Sequence, residues 1–287
     1  MKTHHRYAVV NGQRLFYREA GPSDAPTLVL LHGFPTSSFM FRNLIPMLAD
    51  RWHLIAPDHL GFGQSDAPPV TDFSYTFDAL TELTADLLDQ LGVHRYAAYV
   101  QDYGAPICWR LALRDPSAIT AVISQNGNAY EEGFRPDFFS TVKAYWNEET
   151  PETEAGIRQA LTLDLTRWQY VTGVPDETLL DPTTWLLDHT LLSRPGNDLV
   201  QLALLRDYAT NPVLYPKVHQ WFRQSQVPLL AVWGRGDPIF GPAGARAFVT
   251  DLPSAEVHLL EGGHFLLESA LDETAPLVRK FLSALPS

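Results

Sequence analysis

Residues 95–106, RYAAYVQDYGAP, read as a buried strand that stops abruptly and turns into a helix. A short apolar run bounded in this way fits a strand covered on both faces. At the stop sits Asp102, between Gln101 and Tyr103, with Gly104 just beyond. Strand-to-helix turns of this shape usually present a serine or a cysteine. A carboxylate in that place needs a chemical reason.

Working outward, the same alternation recurs. Upstream, RYAVVNG and QRLFYREAG are two β-rich runs joined by Asn11-Gly12, a hairpin signal. TLVLLHGF follows as a buried strand, then a helical pattern from Ser37 to about Asp50, then the strand HLIAP. Thr76 to Leu91 is an amphipathic helix ending at Gly92. Downstream of Asp102 come the helix APICWRLALRD and the strand ITAVISQNG. After a gap, VPLLAVWG and AEVHLLEGG read as strands, with helices over Pro242–Thr250 and Asp272–Leu285. Such alternation predicts an α/β fold with a mostly parallel central sheet and helices on both faces. Residues 1–127 and 227–287 form that core. Residues 128–226 carry no convincing strand and are rich in Trp, Tyr and Pro, so they read as an inserted helical cap over the strand ends. Most of its aromatic residues are needed for packing.

The 287-residue chain has 45% hydrophobic and 19% charged residues, ample for a sizeable core. Its net charge of -12, with no Lys/Arg run, argues against nucleic acid or an anionic membrane surface as partners. The N-terminus has no signal-peptide pattern and no stretch suits a membrane span, which predicts a cytoplasmic location. One cysteine, Cys108, excludes an internal disulfide and reads as a packed, inert thiol. His4 and His5 are adjacent near an end expected to be mobile and solvated.

Three residues fall at the carboxyl ends of separate core strands: Asp102, Asp237 in AVWGRGDP, and His264 in LLEGGHF. Open α/β sheets bind ligands at that edge, and the chain order is nucleophile, acid, histidine. A fourth feature, LLHGFPTSS, ends another strand; Gly33 permits a tight turn that frees the Phe34 amide. With the Tyr103 amide it would make a two-donor oxyanion hole. Singly, each reads as a turn or a cap; their coincidence points to catalysis.

HGFP, APDHLGFGQSD, VQDYGAP, GRGDPIF and GGHF, in this order, resemble the α/β-hydrolase fold superfamily along essentially the whole chain. The branch they resemble holds epoxide hydrolases and haloalkane dehalogenases with an aspartate nucleophile. Asp58 and Ser65, in the second motif, read as structural. The resemblance implies an alkyl-enzyme ester on Asp102, hydrolysed by water that His264 activates while Asp237 orients His264. Some relatives carry the orienting acid after ITAVISQNG; here that position is near Asn126, which supplies no charge, so Asp237 is expected to serve. No cofactor or metal is implied.

The carboxylate has its reason in this scheme. With a reference pKa of about 3.9 it is ionised at neutral pH and attacks a saturated carbon without a base. Histidine's work moves to the second step. An epoxide needs a proton donor for its opening oxygen; relatives use cap tyrosines, and Tyr145 with Tyr215 or Tyr208 match their settings. A halide needs polarised N–H donors, typically a Trp after the nucleophile; here Tyr103 stands there, and Phe34 stands where many dehalogenases carry Asn. Trp146 resembles part of a halide pocket. The expectation is an epoxide hydrolase giving a vicinal diol, with a haloalkane or haloacid dehalogenase as the alternative, acting on a small apolar or modestly polar substrate. A non-catalytic ligand-binding protein of the same fold is the competitor from another class.

Overall fold

The computed structural model describes residues 1–285. Its centre is one sheet of strands β1 (His4–Val10), β2 (Gln13–Ala20), β3 (Thr27–Leu31), β4 (His53–Pro57), β5 (Tyr96–Gln101), β6 (Ile119–Gln125), β7 (Leu229–Gly234) and β8 (Glu256–Leu260). They lie side by side in the order β1-β2-β4-β3-β5-β6-β7-β8. β2 runs antiparallel to β1 and to β4. All other neighbours are parallel. The chain thus adopts the expected α/β-hydrolase fold.

The hairpin turns at Asn11 and Gly12, both with positive φ (49° and 81°), the backbone that a two-residue hairpin loop demands. His4 and His5, expected at a mobile end, instead open β1, and the His5 ring meets the Arg18 guanidinium at 2.8 Å.

Strand side chains alternate between two hydrophobic layers. Val29, Leu31, Ala98 and Val100 face one layer, with helices Phe77–Gln90, Gly104–Arg114 and Pro242–Asp251 packed over it. Leu28, Leu30, Ala97 and Tyr99 face the other, covered by Leu44–Leu48 and Leu271–Ala284. The helix expected over Ser37–Asp50 is broken into a 3₁₀ turn, Ser38–Phe41, and the short helix Leu44–Leu48. One continuous helix would set the Pro46 ring against the Arg42 carbonyl and leave no N–H for its ladder.

Between β6 and β7 the described residues add six α-helices and no strand of the sheet: Pro136–Asn147, Pro151–Arg158, Leu163–Val171, Thr183–Leu192, Asn197–Asp207 and Thr210–Ser225. Their aromatic residues do not close a separate core. Phe139, Tyr208, Tyr215 and Trp221 join the same buried cluster as Val100 and Trp109, and the Trp109 and Trp221 rings are 6.5 Å apart. Tyr170 stacks on Phe265 at 4.0 Å. The buried Arg110 guanidinium ties the two parts together, donating to Asp78 on one side and to Asn211 and Thr210 on the other. No helix among the described residues is long and apolar enough to cross a membrane.

Candidate active site

β5 is buried along its whole length and ends at Gln101. Asp102 then takes φ +46°, the left-handed region. For a residue with a side chain this costs about 1–2 kcal/mol. The turn aims the carboxyl out of the strand end before the helix Gly104–Arg114 begins. Two glycines make the turn fit. A Cβ on Gly104 would sit 2.1 Å from the Leu31 carbonyl oxygen, and one on Gly33 would sit 2.3 Å from the Asp102 Cβ. Without those atoms the β3 and β5 ends close up, and the Phe34 amide donates to Asp102 Oδ1 at 2.7 Å. The Tyr103 amide turns to the same carboxylate.

The loops after β7 and β8 bring the other two residues. His264 Nδ1 lies 2.9 Å from Asp237 Oδ2, so the carboxylate accepts from Nδ1–H and leaves the lone pair on Nε2. Nε2 points to Asp102, 3.9 Å from its Oδ2. Asp237 is fully buried and saturated: Oδ1 accepts from the Ile239 and Phe240 amides, and Oδ2 also from the Asn126 side chain at 2.5 Å. Asn126 in turn accepts from the Gly234 amide. The residue that brings no charge therefore braces the one that does.

Gln101 enters the site as a residue the motifs had not singled out. Its amide nitrogen meets His264 Nε2 at 2.7 Å, occupying the imidazole lone pair. Its place beside Asp102 in the strand was the only sequence signal available.

Burial pushes the Asp102 carboxyl up to about 6, opposed by the nearby His264 and by the Phe34 and Tyr103 amides. Burial alone would lower His264, but the Asp237 charge and hydrogen bond, with Asp102 behind them, raise it above its ordinary value. An opposed acid and imidazole, both desolvated, are the electrostatic pattern of a reactive centre.

Asp102 opens onto a cavity of about 20 Å³, close to the room one water molecule needs. Phe34, Tyr103 and Tyr208 share its wall, with apolar residues such as Phe139, Val142 and Leu205. The other cap residues singled out in the sequence are elsewhere. Tyr145 is outside the wall; its neighbours are Glu149, Glu154 and Arg206, whose guanidinium lies over its ring. Tyr215 sits one layer back, its hydroxyl near that of Tyr208 and 3.4 Å from the Asn128 amide. Trp146 stacks on Tyr208 from behind and donates its indole N–H to the Leu205 carbonyl at 2.8 Å. Gln169, which the sequence reading passed over, is in the wall. Its signal was a polar residue on the inward face of Leu163–Val171, beside Thr166 and Tyr170.

Asp58 and Ser65 have structural roles: the Asp58 carboxylate accepts from the Ser38 and Gln64 amides, and Ser65 donates to the Asp58 carbonyl.

Residues 26–173 match the family model described as alpha/beta hydrolase fold. An uncharacterized hydrolase of Saccharomyces cerevisiae is 43% identical over 270 residues, 92% of each chain. Haloalkane dehalogenase 2 of Mycobacterium tuberculosis is 28% identical, covering 92% of this chain and 90% of its own. Among solved structures, the haloalkane dehalogenase DbeA from Bradyrhizobium elkani superposes with a TM-score of 0.75 at 26% identity, covering 99% of this chain and all of that one.

Proposed function

The chain belongs to the alpha/beta hydrolase family, and from that premise we propose that it is a hydrolase that alkylates and then frees Asp102, with epoxides as substrates. The observation that carries the reading is the Asp102 carboxylate itself. One oxygen is held by the Phe34 amide, and the other lies 3.9 Å from a histidine that Asp237 orients.

In the first step Asp102 Oδ2 attacks a ring carbon. The C–O bond breaks, its electron pair goes to the ring oxygen, and that oxygen takes the proton of the Tyr208 hydroxyl. Burial raises the Tyr208 phenol, as do Tyr215 and Asp102, so it stays protonated and able to donate. In the second step water displaces the Gln101 amide at His264 Nε2, gives it a proton and adds to the Asp102 carboxyl carbon. The Phe34 and Tyr103 amides hold the oxyanion. Collapse releases the diol as the His264 proton goes to the departing oxygen, and the proton left on the Asp102 carboxyl passes to the Tyr208 phenolate, restoring both groups. Residues 128–226 act as the cap that shuts the reacting carbons away from water.

The second reading, carbon–halogen cleavage, draws support from the names of the relatives. Against it, the Trp146 indole N–H is engaged by Leu205 and no Trp follows the nucleophile. Haloacids fit less well still, since no Arg or Lys faces the cavity to receive a carboxylate.

The deciding experiment follows diol formation from 1,2-epoxybutane and bromide release from 1-bromobutane. Diol without bromide is expected. Tyr208→Phe should lower epoxide turnover about 10²-fold or more, the worth of a general acid. Bromide without diol, or a Phe variant as fast as the parent, would defeat the epoxide reading.

A pH dependence follows from the two shifts. Alkylation needs ionised Asp102 and so rises as pH climbs through about 6. Hydrolysis needs neutral His264 and rises only at higher pH, because that pKa is raised. Between the two, alkylation outruns hydrolysis. The ester should therefore peak in acid-quenched intact mass just above pH 6 and fade as the pH is raised further; a flat ester population would contradict the assignment.

A further inference from the structure

We propose that Gln169 is a neutral polar subsite of the Asp102 cavity, selecting substrates that carry an uncharged hydrogen-bonding group, such as a hydroxyl, next to the electrophilic carbon. The inference rests on the hydrolase reading above and names the substrate class within it.

Gln169 is 1% exposed, and neither its amide oxygen nor its amide nitrogen has a hydrogen-bond partner among the described residues. Buried amides are nearly always paired, because leaving both ends dry forfeits their full hydration. Its helix neighbour on the same inward face is treated differently: Thr166 donates back to the Thr162 carbonyl at 2.9 Å. Gln169 instead stands in the wall of the cavity that holds Asp102. An unpaired amide in that place is a donor and an acceptor waiting for a ligand.

The rest of the wall narrows the ligand's chemistry. Phe139, Val142, Leu205 and Ile239 suit a short hydrocarbon. Asp102 repels anions, and no Arg or Lys lines the cavity to offset it. A cation would find only the nucleophile itself as counter-charge. What remains is a neutral group that both gives and takes a hydrogen bond. A hydroxyl does so with a single heavy atom. Such a group also replaces water without losing the bonds water would make. The substrate class is then a small epoxide with a hydroxyl on the adjoining carbon, and the product a polyol.

The test compares glycidol with propylene oxide, which differ by that hydroxyl, in the parent, Gln169→Leu and Gln169→Met. The parent should prefer glycidol by about 10–100-fold in kcat/KM, as sites built to bond a hydroxyl reject its absence. In both variants that preference should collapse toward 1. Tm should rise by about 2–4 °C, since an unpaired polar group has been exchanged for an apolar one. A parent without preference, a ratio unmoved by both variants, or equal losses on both epoxides would overturn the proposal; the last would put the amide on the opening ring oxygen instead. A lower Tm in both variants would also overturn it, assigning the amide to the fold. No diol from either epoxide counts against the hydrolase reading alone, and the Tm comparison still decides the amide.

Discussion

His264→Gln is expected to convert the enzyme into a reagent that reacts once and stops. The variant should become alkylated on Asp102 to near one equivalent by epoxide, while turnover falls about 10³–10⁴-fold with the general base gone. Gln is the informative replacement because its amide can still donate to Asp237. Phe would leave that fully buried carboxylate short of a partner, a loss of about 3–5 kcal/mol. The proximity of His264 also lowers Asp102, so the variant's carboxyl should ionise at higher pH than the parent's. Alkylation is best followed at pH 8–9 for that reason. Intact mass should show the protein plus one substrate, and peptide mapping should put the increment on Asp102. An unmodified protein that also fails to turn over would remove the covalent mechanism.

Asp102→Asn should abolish activity and stabilise the protein in one stroke. Asn tolerates the left-handed backbone and keeps the shape, but it does not attack carbon. Loss of a nucleophile in a concerted site costs on the order of 10⁶-fold, and neither the variant nor its double with His264→Gln should gain mass. The stability gain has a definite sign. The Asp102 pKa is raised in the folded state, from an ordinary 3.8 to about 6, so its ionised form opposes folding. The penalty is absent below pH 4, grows between pH 4 and 6 and is complete above, reaching roughly 2–3 kcal/mol. At pH 8 the Asn variant should melt about 5 °C or more above the parent, and at pH 4 the two should coincide. A variant less stable than the parent at pH 8 would mean that the carboxylate is better solvated than its burial implies.

The sheet and its reactive edge were legible because both depend on local order along the chain. Continuous apolar runs mark strands buried on both faces, and the ends of β3, β5, β7 and β8 are followed within a few residues by Gly33, Asp102, Asp237 and His264 in turn. Once the strands are parallel and in register, those ends meet whatever the loops do. The helices between β6 and β7 offer no such constraint. Tyr145 and Tyr215 lie within helices and Tyr208 just past the end of another, and how those helices rotate is decided by packing against the sheet. That packing turns Tyr208 to the cavity, Tyr215 behind it and Tyr145 toward Arg206. Gln169 was hidden for the converse reason, since one polar residue in an amphipathic turn reads as surface until its neighbours are known. Pro46, which breaks the helix, stands in plain view within the apolar periodicity of residues 37–50.

Cys108 has a bearing on how such a protein survives its own chemistry. Thiolates also attack three-membered cyclic ethers and alkyl halides, and they outcompete most carboxylates for them. Here the chain's only sulfhydryl is wholly enclosed in the helix that follows the nucleophile, and burial drives its ionisation far beyond neutral pH. Under the proposed chemistry, self-poisoning through sulfur is thereby closed off a few residues from the carboxylate that takes up the electrophile.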